Sequence, residues 1–227
     1  WEFLTPDEKG EIAPFHTYYL TVSGHLAYNF YGNNIASKNE SVVRDMQLSD
    51  ACKAYMATQV ELDRAIELLI KKLDEAGVLE ETVIAIVGDH YPYGLTPEEI
   101  SEFKGHIIDE EYELFESSMI IWTPEMKGET VEKLCSNMDV LPTLSNLFGL
   151  EYDSRLLMGK DIFSSDEGFV VLKDKNWISE KGTRSQLEES NKEYVAKMDK
   201  RVSDMFNYSA MILDKNYYSL IFTEYLC

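Results

Sequence analysis

The sequence is poor in cysteine and in basic residues. Its 227 residues include three cysteines, Cys52, Cys135 and Cys227, and no CxxC pair, so the sequence indicates neither a zinc ribbon nor a disulfide framework. The 21 Lys and Arg residues stand against 41 Asp and Glu, which gives a formal net charge of −20. Because nucleic-acid-binding modules gain affinity by neutralising phosphates with clustered Lys and Arg, this charge argues against DNA or RNA as a partner.

Long hydrophobic runs are also missing. No apolar stretch approaches the roughly 20 residues of a transmembrane helix, and there is no basic and then apolar signal segment. We therefore expect the chain to be soluble as written. Its content of 44% hydrophobic and 12% aromatic residues suits a folded core, and its length fits one large domain or two small ones.

The pattern that is present alternates between strands and helices. The predicted elements are a strand at 16–22, a helix at 49–76, strands at 82–87 and 118–122, and a helix at 139–148. This order favours an α/β domain with a mostly parallel sheet flanked by helices. Further on, short strands at 169–172 and 176–178 and a polar helix at about 185–205 predict a small C-terminal α+β subregion. We accordingly divide the chain into a core portion, 1–165, and a subregion, 166–227.

The Asp89-His90 pair directly follows the apolar run at 82–87. In open α/β sheets ligands bind beyond the carboxyl ends of strands, and a carboxylate beside an imidazole suits Zn, Mn or Fe. A turn in which Asp89 caps backbone amides and His90 has no role explains the same residues, so the spacing leaves both interpretations open. His25 follows the predicted strand at 16–22 in the same way, and parallel strands would bring all three residues to one edge.

The remaining candidates are weaker. His16 lies at the opposite end of its predicted strand and is interpreted as structural, while His106 is interpreted as an exposed loop residue whose role stays open. Ser23 precedes His25 by two residues, but a catalytic triad needs a base whose ring reaches the serine hydroxyl. The sequence contains no Gly-rich phosphate loop, no GxSxG and no HExxH.

Three stretches, in order along the chain, resemble one known family. They are TVSGH at 21–25, IAIVGDHYPYG at 84–94, and MDVLPTLSNLFG at 138–149, the last followed by LMGKDIF at 157–163. Together they resemble the C-terminal part of the catalytic domain of lipoteichoic acid synthase-like sulfatases, which belong to the alkaline phosphatase superfamily. The similarity runs from about residue 14 to 180, and three modest motifs in register make it specific.

This resemblance implies a divalent metal at Asp89 and His90, typically manganese, with Mg²⁺, Ca²⁺ or Zn²⁺ as alternatives. It implies that His25 contacts the phosphoglycerol group being transferred, and that residues 139–143 begin a structural helix. The whole protein would be an extracytoplasmic phosphoglycerol transferase, anchored in the cell membrane by helices upstream. Its partners would be a phosphoglycerol lipid or a glycerophosphate polymer.

The sequence also departs from the family. The Thr nucleophile and an acidic metal ligand of such enzymes lie upstream of the matching stretches, and neither has a counterpart here. The chain starts at Trp1 rather than Met, so we expect it to be the C-terminal portion of a longer catalytic domain, with no nucleophile of its own, inactive alone and weak in metal binding. A sulfate ester hydrolase of the same superfamily and a non-catalytic α/β binding module remain open alternatives.

Overall fold

The computed structural model describes residues 2–221, and the chain divides into two compact units between Gly128 and Glu129. The first contains helices α1 (Asn34–Val43), α2 (Asp50–Glu75) and α3 (Pro97–Lys104) and strands β1 (Ile84–Val87) and β2 (Met119–Trp122). The second contains helices α4 (Val140–Leu147), α5 (Arg184–Leu187), α6 (Lys192–Asp214) and α7 (Tyr217–Ile221) and strands β3 (Phe169–Val171), β4 (Trp177–Ser179) and β5 (Gly182–Thr183). Within the described range no helix has the length and apolarity to cross a membrane.

The pair formed by α1 and α2 is the largest helical element of the first unit. Asn33 caps α1 and Ser49 caps α2, each through a side-chain oxygen that accepts backbone N–H groups of the first turn. The buried side chains between the helices are mostly small, which allows close approach: Ala36, Val43, Ala54 and Ala57. Asn39 is buried among them, donates to the Ala57 carbonyl and accepts from Arg64, so this buried polar side chain is satisfied.

Strands β1 and β2 pair antiparallel, with Ile84 opposite Trp122 and Val87 opposite Met119. The parallel direction expected for the strands is therefore not observed in the part of the chain that the structure describes. Residues 16–22 form no strand, and Leu20 and Val22 are 66% and 72% exposed. A strand needs a neighbour to pair its backbone groups, and an apolar run fixes neither that neighbour nor its direction.

The second unit packs α6 on a small antiparallel sheet in the order β3-β4-β5. Its core consists of Phe169, Trp177, Tyr194, Val195, Met198 and Val202. The indole N–H of the fully buried Trp177 donates to Asp199 on α6, and Arg184 donates to the same carboxylate. This arrangement agrees with the expected small α+β subregion, while the division of the domain near residue 165 stays a prediction.

The motif at 138–163 is held together by hydrogen bonds to backbone. The Asp139 carboxylate accepts the Ser136 and Lys160 N–H groups, both at 2.7 Å, and the Thr143 hydroxyl accepts the N–H of Ile162 at 3.1 Å. Gly159 passes so close to this turn that a Cβ there would lie 1.9 Å from the Met138 carbonyl oxygen. These contacts make the motif a structural clamp, in line with the helix-start role expected for Asp139.

Candidate functional site

Asp89 and His90 lie in the loop that follows β1 and leads to α3. The chain enters this loop through Gly88, where a Cβ would come within 2.8 Å of the Ser117 hydroxyl, so a larger residue there would have to displace that side chain. The Asp89 and His90 side chains are 62% and 46% exposed. Both are therefore available to a ligand that approaches from solvent.

The hydrogen bond of the His90 ring leaves its Nε2 free to coordinate. His90 Nδ1 lies 2.7 Å from the Tyr91 carbonyl oxygen. Because a carbonyl can only accept, Nδ1 carries the proton and neutral His90 presents a lone pair at Nε2. Metal-binding histidines use their other ring nitrogen in this way, which fixes the ring and the tautomer.

The distance between the two side chains also suits a shared ion. His90 Nε2 and Asp89 Oδ1 are 3.6 Å apart. Two ligand atoms at about 2.0–2.2 Å from one ion are about 3.4 Å apart when the angle at the ion is tetrahedral. The pair can therefore bind one cation with only a small adjustment.

An aromatic side chain restricts the His90 ring further. The Tyr93 ring lies 4.7 Å from the His90 ring, centroid to centroid, and Tyr91 packs edge-on against Phe115 at 5.3 Å. Tyr93 is half exposed, so its ring forms part of the surface beside the pair. The loop thus holds His90 through a backbone carbonyl and a ring contact.

His25 is held by a similar local bond. Its Nδ1 lies 3.1 Å from the Leu26 carbonyl oxygen, and the Asn33 side-chain amide donates to the carbonyls of His25 and Ala27 at 3.3 and 3.0 Å. The exposed His25 ring therefore uses Nδ1 locally and keeps Nε2 for another partner. Asn33 connects this loop to the start of α1, which it caps.

The His25 loop and the Asp89-His90 loop are in contact through Tyr28, which packs against Gly94. Burial, together with nearby Tyr55, Tyr93 and Asp89, raises the pKa of the Tyr28 hydroxyl. The three candidate residues thus lie on neighbouring loops, although parallel strands are not the reason.

The other candidates have no part in this arrangement. His106 Nε2 lies 2.9 Å from a Glu113 oxygen, and this hydrogen bond and charge raise the pKa of His106. Glu113 also accepts the Asp109 N–H, so the pair braces the loop after α3. His16 is exposed, and Ser23 is half buried. Within residues 2–221, no three His, Cys, Asp or Glu side chains group into a metal site, so Asp89 and His90 supply at most part of a ligand set.

A comparison with family models decides the family. The model described as Sulfatase matches residues 3–150, a range that includes His25, Asp89 and His90. The chain belongs to the Sulfatase family.

Curated relatives of this sulfatase chain carry lipoteichoic acid synthase names. It is 29% identical over 174 residues to the lipoteichoic acid synthase-like protein YvgJ of Bacillus subtilis, covering 73% of this chain and 27% of that protein. It is 25% identical to lipoteichoic acid synthase of Staphylococcus aureus, covering 70% of this chain and 24% of the relative. The chain therefore spans about a quarter of the length of these relatives.

A solved structure shows the same fold. The lipoteichoic acid synthase LtaP from Listeria monocytogenes superposes with a TM-score of 0.60 at 16% identity, covering 86% of this chain and 52% of that one. The sulfatase-like fold of the alkaline phosphatase superfamily, expected from the sequence motifs, is confirmed.

Sequence reasoning about this sulfatase chain missed the residues that support the candidate site. Tyr28, Asn33 and Tyr93 position the loops, yet none has an uncommon chemistry. Asn33 lies in a Gly-Asn-Asn stretch that indicates only a turn. Its second role, bonding the His25 loop, depends on the folded backbone.

Proposed function

We propose that Asp89 and His90 are two ligands of a divalent cation, most commonly Mn²⁺, in a phosphoglycerol transferase of the lipoteichoic acid synthase type. In this proposal His25 contacts the phosphoglycerol group. The observation that carries it is the His90 Nε2, left with a lone pair by the Tyr91 hydrogen bond and 3.6 Å from the Asp89 carboxylate. The names of the relatives supply the substrate class.

A bound cation would offset the repulsion between this acidic chain and an anionic substrate. Residues 60–116 hold sixteen acidic and four basic residues, so this part of the surface repels phosphate. A bound divalent cation reverses the local sign and offsets negative charge on phosphoryl oxygens. Asp89 contributes a carboxylate to hold it, and His90 contributes a neutral nitrogen in a fixed orientation.

His25 acts as a hydrogen-bond donor to the phosphoryl group. Its Nδ1 proton is used by the Leu26 carbonyl, so Nε2 can donate only when the ring carries both protons. In that form its hydrogen bond to a phosphoryl oxygen is charge-assisted and therefore stronger than a neutral one. His25 thereby positions the group rather than attacking it.

The nucleophile and the remaining ligands come from outside these 227 residues. The chain spans about a quarter of its curated relatives, and Asp89 and His90 leave a cation with open positions. In the proposed whole enzyme, an upstream Thr forms the covalent phosphoglycerol intermediate, which a glycerol hydroxyl or water then resolves. Transmembrane helices of that longer protein would anchor it on the extracytoplasmic side. The chain alone is then inactive and binds metal weakly.

Metal binding tests the proposal directly. Free Mn²⁺ is counted by electron paramagnetic resonance in titrations of the unsubstituted chain, Asp89→Asn and the control Asp63→Asn, which removes the same charge from an exposed site on α2. We expect Asp89→Asn to weaken binding about tenfold or more and the control to leave it unchanged. Equal loss in both variants would mean that Mn²⁺ responds only to net charge, and the proposal would fail.

Two further measurements separate the alternatives. Phosphodiesterase turnover by the isolated chain would contradict the proposal that the nucleophile lies outside it. With diamagnetic Mg²⁺ in place of Mn²⁺, glycerol phosphate should shift the His25 ring signals more than inorganic sulfate does, and the reverse order would favour sulfate ester hydrolysis. No response of Asp89, His90 or His25 to any of these ligands would favour a non-catalytic module.

A further inference from the structure

The contact between the two site loops is unusually close at Tyr28 and Gly94. A Cβ built on Gly94 would lie 2.8 Å from Tyr28 Cε2 and 3.0 Å from Cδ2, with Leu26 Cβ at 3.3 Å. Gly94 follows His90 in its loop, and Tyr28 and Leu26 follow His25 in theirs. Only a residue without a side chain allows the loops to approach this far.

Tyr28 has little room to withdraw from this contact. It is buried, and its ring meets Tyr55 of α2 edge-on at 5.1 Å, while Tyr55 in turn packs against Phe103 of α3 at 5.8 Å. Close-packed interiors transmit such a displacement rather than absorb it. Pressure on the ring from the Gly94 side must therefore move the loops.

Tyr28 is also tied to the residue before His25. Its hydroxyl donates to the Gly24 carbonyl at 3.0 Å and closes the turn that carries His25. Gly24 lies beside a side chain of α2, since a Cβ there would lie 2.9 Å from the side-chain amide nitrogen of Gln59. Any movement of Tyr28 consequently moves His25.

We propose that Tyr28 and Gly94 form a clasp that sets the separation between His25 and the Asp89-His90 pair, which makes both of them positioning residues for the phosphate site. The role in phosphate positioning rests on the function proposed above. A Cβ at Gly94 must be moved from 2.8 Å to ordinary contact at about 3.5–4.0 Å, a displacement of about 1 Å. Misplacement on this scale is enough to weaken a preorganised site.

The clasp is tested first without metal, by nuclear magnetic resonance of the histidine rings. Gly94→Ala should change the His25 ring shifts while leaving the His16 and His106 signals in place. The matched control is Gly32→Ala, which lies close to the His25 loop. There the nearest atom to an added Cβ is 3.4 Å away, which is an ordinary contact. Unchanged His25 shifts in a folded Gly94→Ala chain would overturn the clasp.

Mn²⁺ then provides a distance-sensitive test, because its paramagnetic broadening falls steeply with separation. The broadening varies with the inverse sixth power of the separation, so a ring proton displaced from about 6 Å to about 7 Å from the ion is broadened about 2.5-fold less. We expect Gly94→Ala to lower the ratio of His25 to His90 broadening by about this factor, and the control to preserve it. A preserved ratio in Gly94→Ala would count against the positioning role.

A second variant covers the case in which Gly94→Ala does not fold. Tyr28→Phe keeps the ring contact and removes only the bond to Gly24, so it should alter the His25 signals with little change at His90. No change at His25 in this variant would overturn the clasp by itself. If Mn²⁺ leaves His90 sharp in the unsubstituted chain, the proposed metal site fails, and the metal-free shifts still decide the clasp.

Discussion

The clamp around Asp139 offers a quantitative test of how the second unit is held together. Asp139 is 8% exposed, and its two oxygens accept the N–H groups of Ser136 and Lys160. Asp139→Ala leaves both donors without that acceptor. Hydrogen bonds to a charged group contribute about 1.5–3 kcal/mol each. We take the lower end for each, since water can reach a site that is partly open, and expect a loss of about 3 kcal/mol.

Urea denaturation measures this loss, with the indole N–H signal of the buried Trp177 reporting on the second unit. With a slope of about 2 kcal/mol per molar urea, the midpoint should fall by about 1.5 M. Asp139→Asn keeps one acceptor oxygen, so its urea midpoint should lie between those of the unsubstituted chain and Asp139→Ala. The control is Glu151→Ala, an exposed acid in the same unit. If Asp139→Ala shifts the midpoint no more than this control does, the hydrogen bonds of Asp139 do not stabilise the second unit.

Three other substitutions test the described contacts. Truncation of the fully buried Trp177 to Ala should cost about 3–5 kcal/mol in urea denaturation. The Arg184 hydrogen bond lowers the pKa of Asp199 below 3.8, so the stability it adds is present above that pH and lost as pH falls further. The free energy of unfolding of the unsubstituted chain should exceed that of Asp199→Asn, and this difference should shrink below about pH 4. A difference that does not change with pH would contradict this. His106 should titrate above 6.5 by nuclear magnetic resonance, and Glu113→Gln should lower its midpoint.

Elements with local boundary signals were predictable from sequence. The helix predicted at 49–76 is observed as Asp50–Glu75, capped by Ser49 and ended before Gly77, whose φ of 72° suits glycine. The strands at 82–87 and 118–122 are likewise present as β1 and β2. Helix α1 was missed, because its small and polar residues become a buried face only against α2.

Features that depend on distant partners were not predictable. The apolar run at 16–22 has strand composition but no strand beside it. At the site, Asp89 and His90 are adjacent in sequence and follow a strand, so their shared loop was predictable, while their role as metal ligands stays a prediction. The contact between Tyr28 and Gly94 could not, since these residues are far apart in sequence and meet only in the folded chain, where Tyr28 also packs on Tyr55 of α2.

A cation shared by Asp89 and His90 can be located in an anomalous difference map from crystals of the chain soaked with Mn²⁺. We expect a peak within roughly 2.0–2.3 Å of both His90 Nε2 and an Asp89 oxygen, and no such peak in crystals of Asp89→Asn. A peak bound only by other acidic side chains, or one that persists in Asp89→Asn, would mean that Asp89 and His90 do not share a cation.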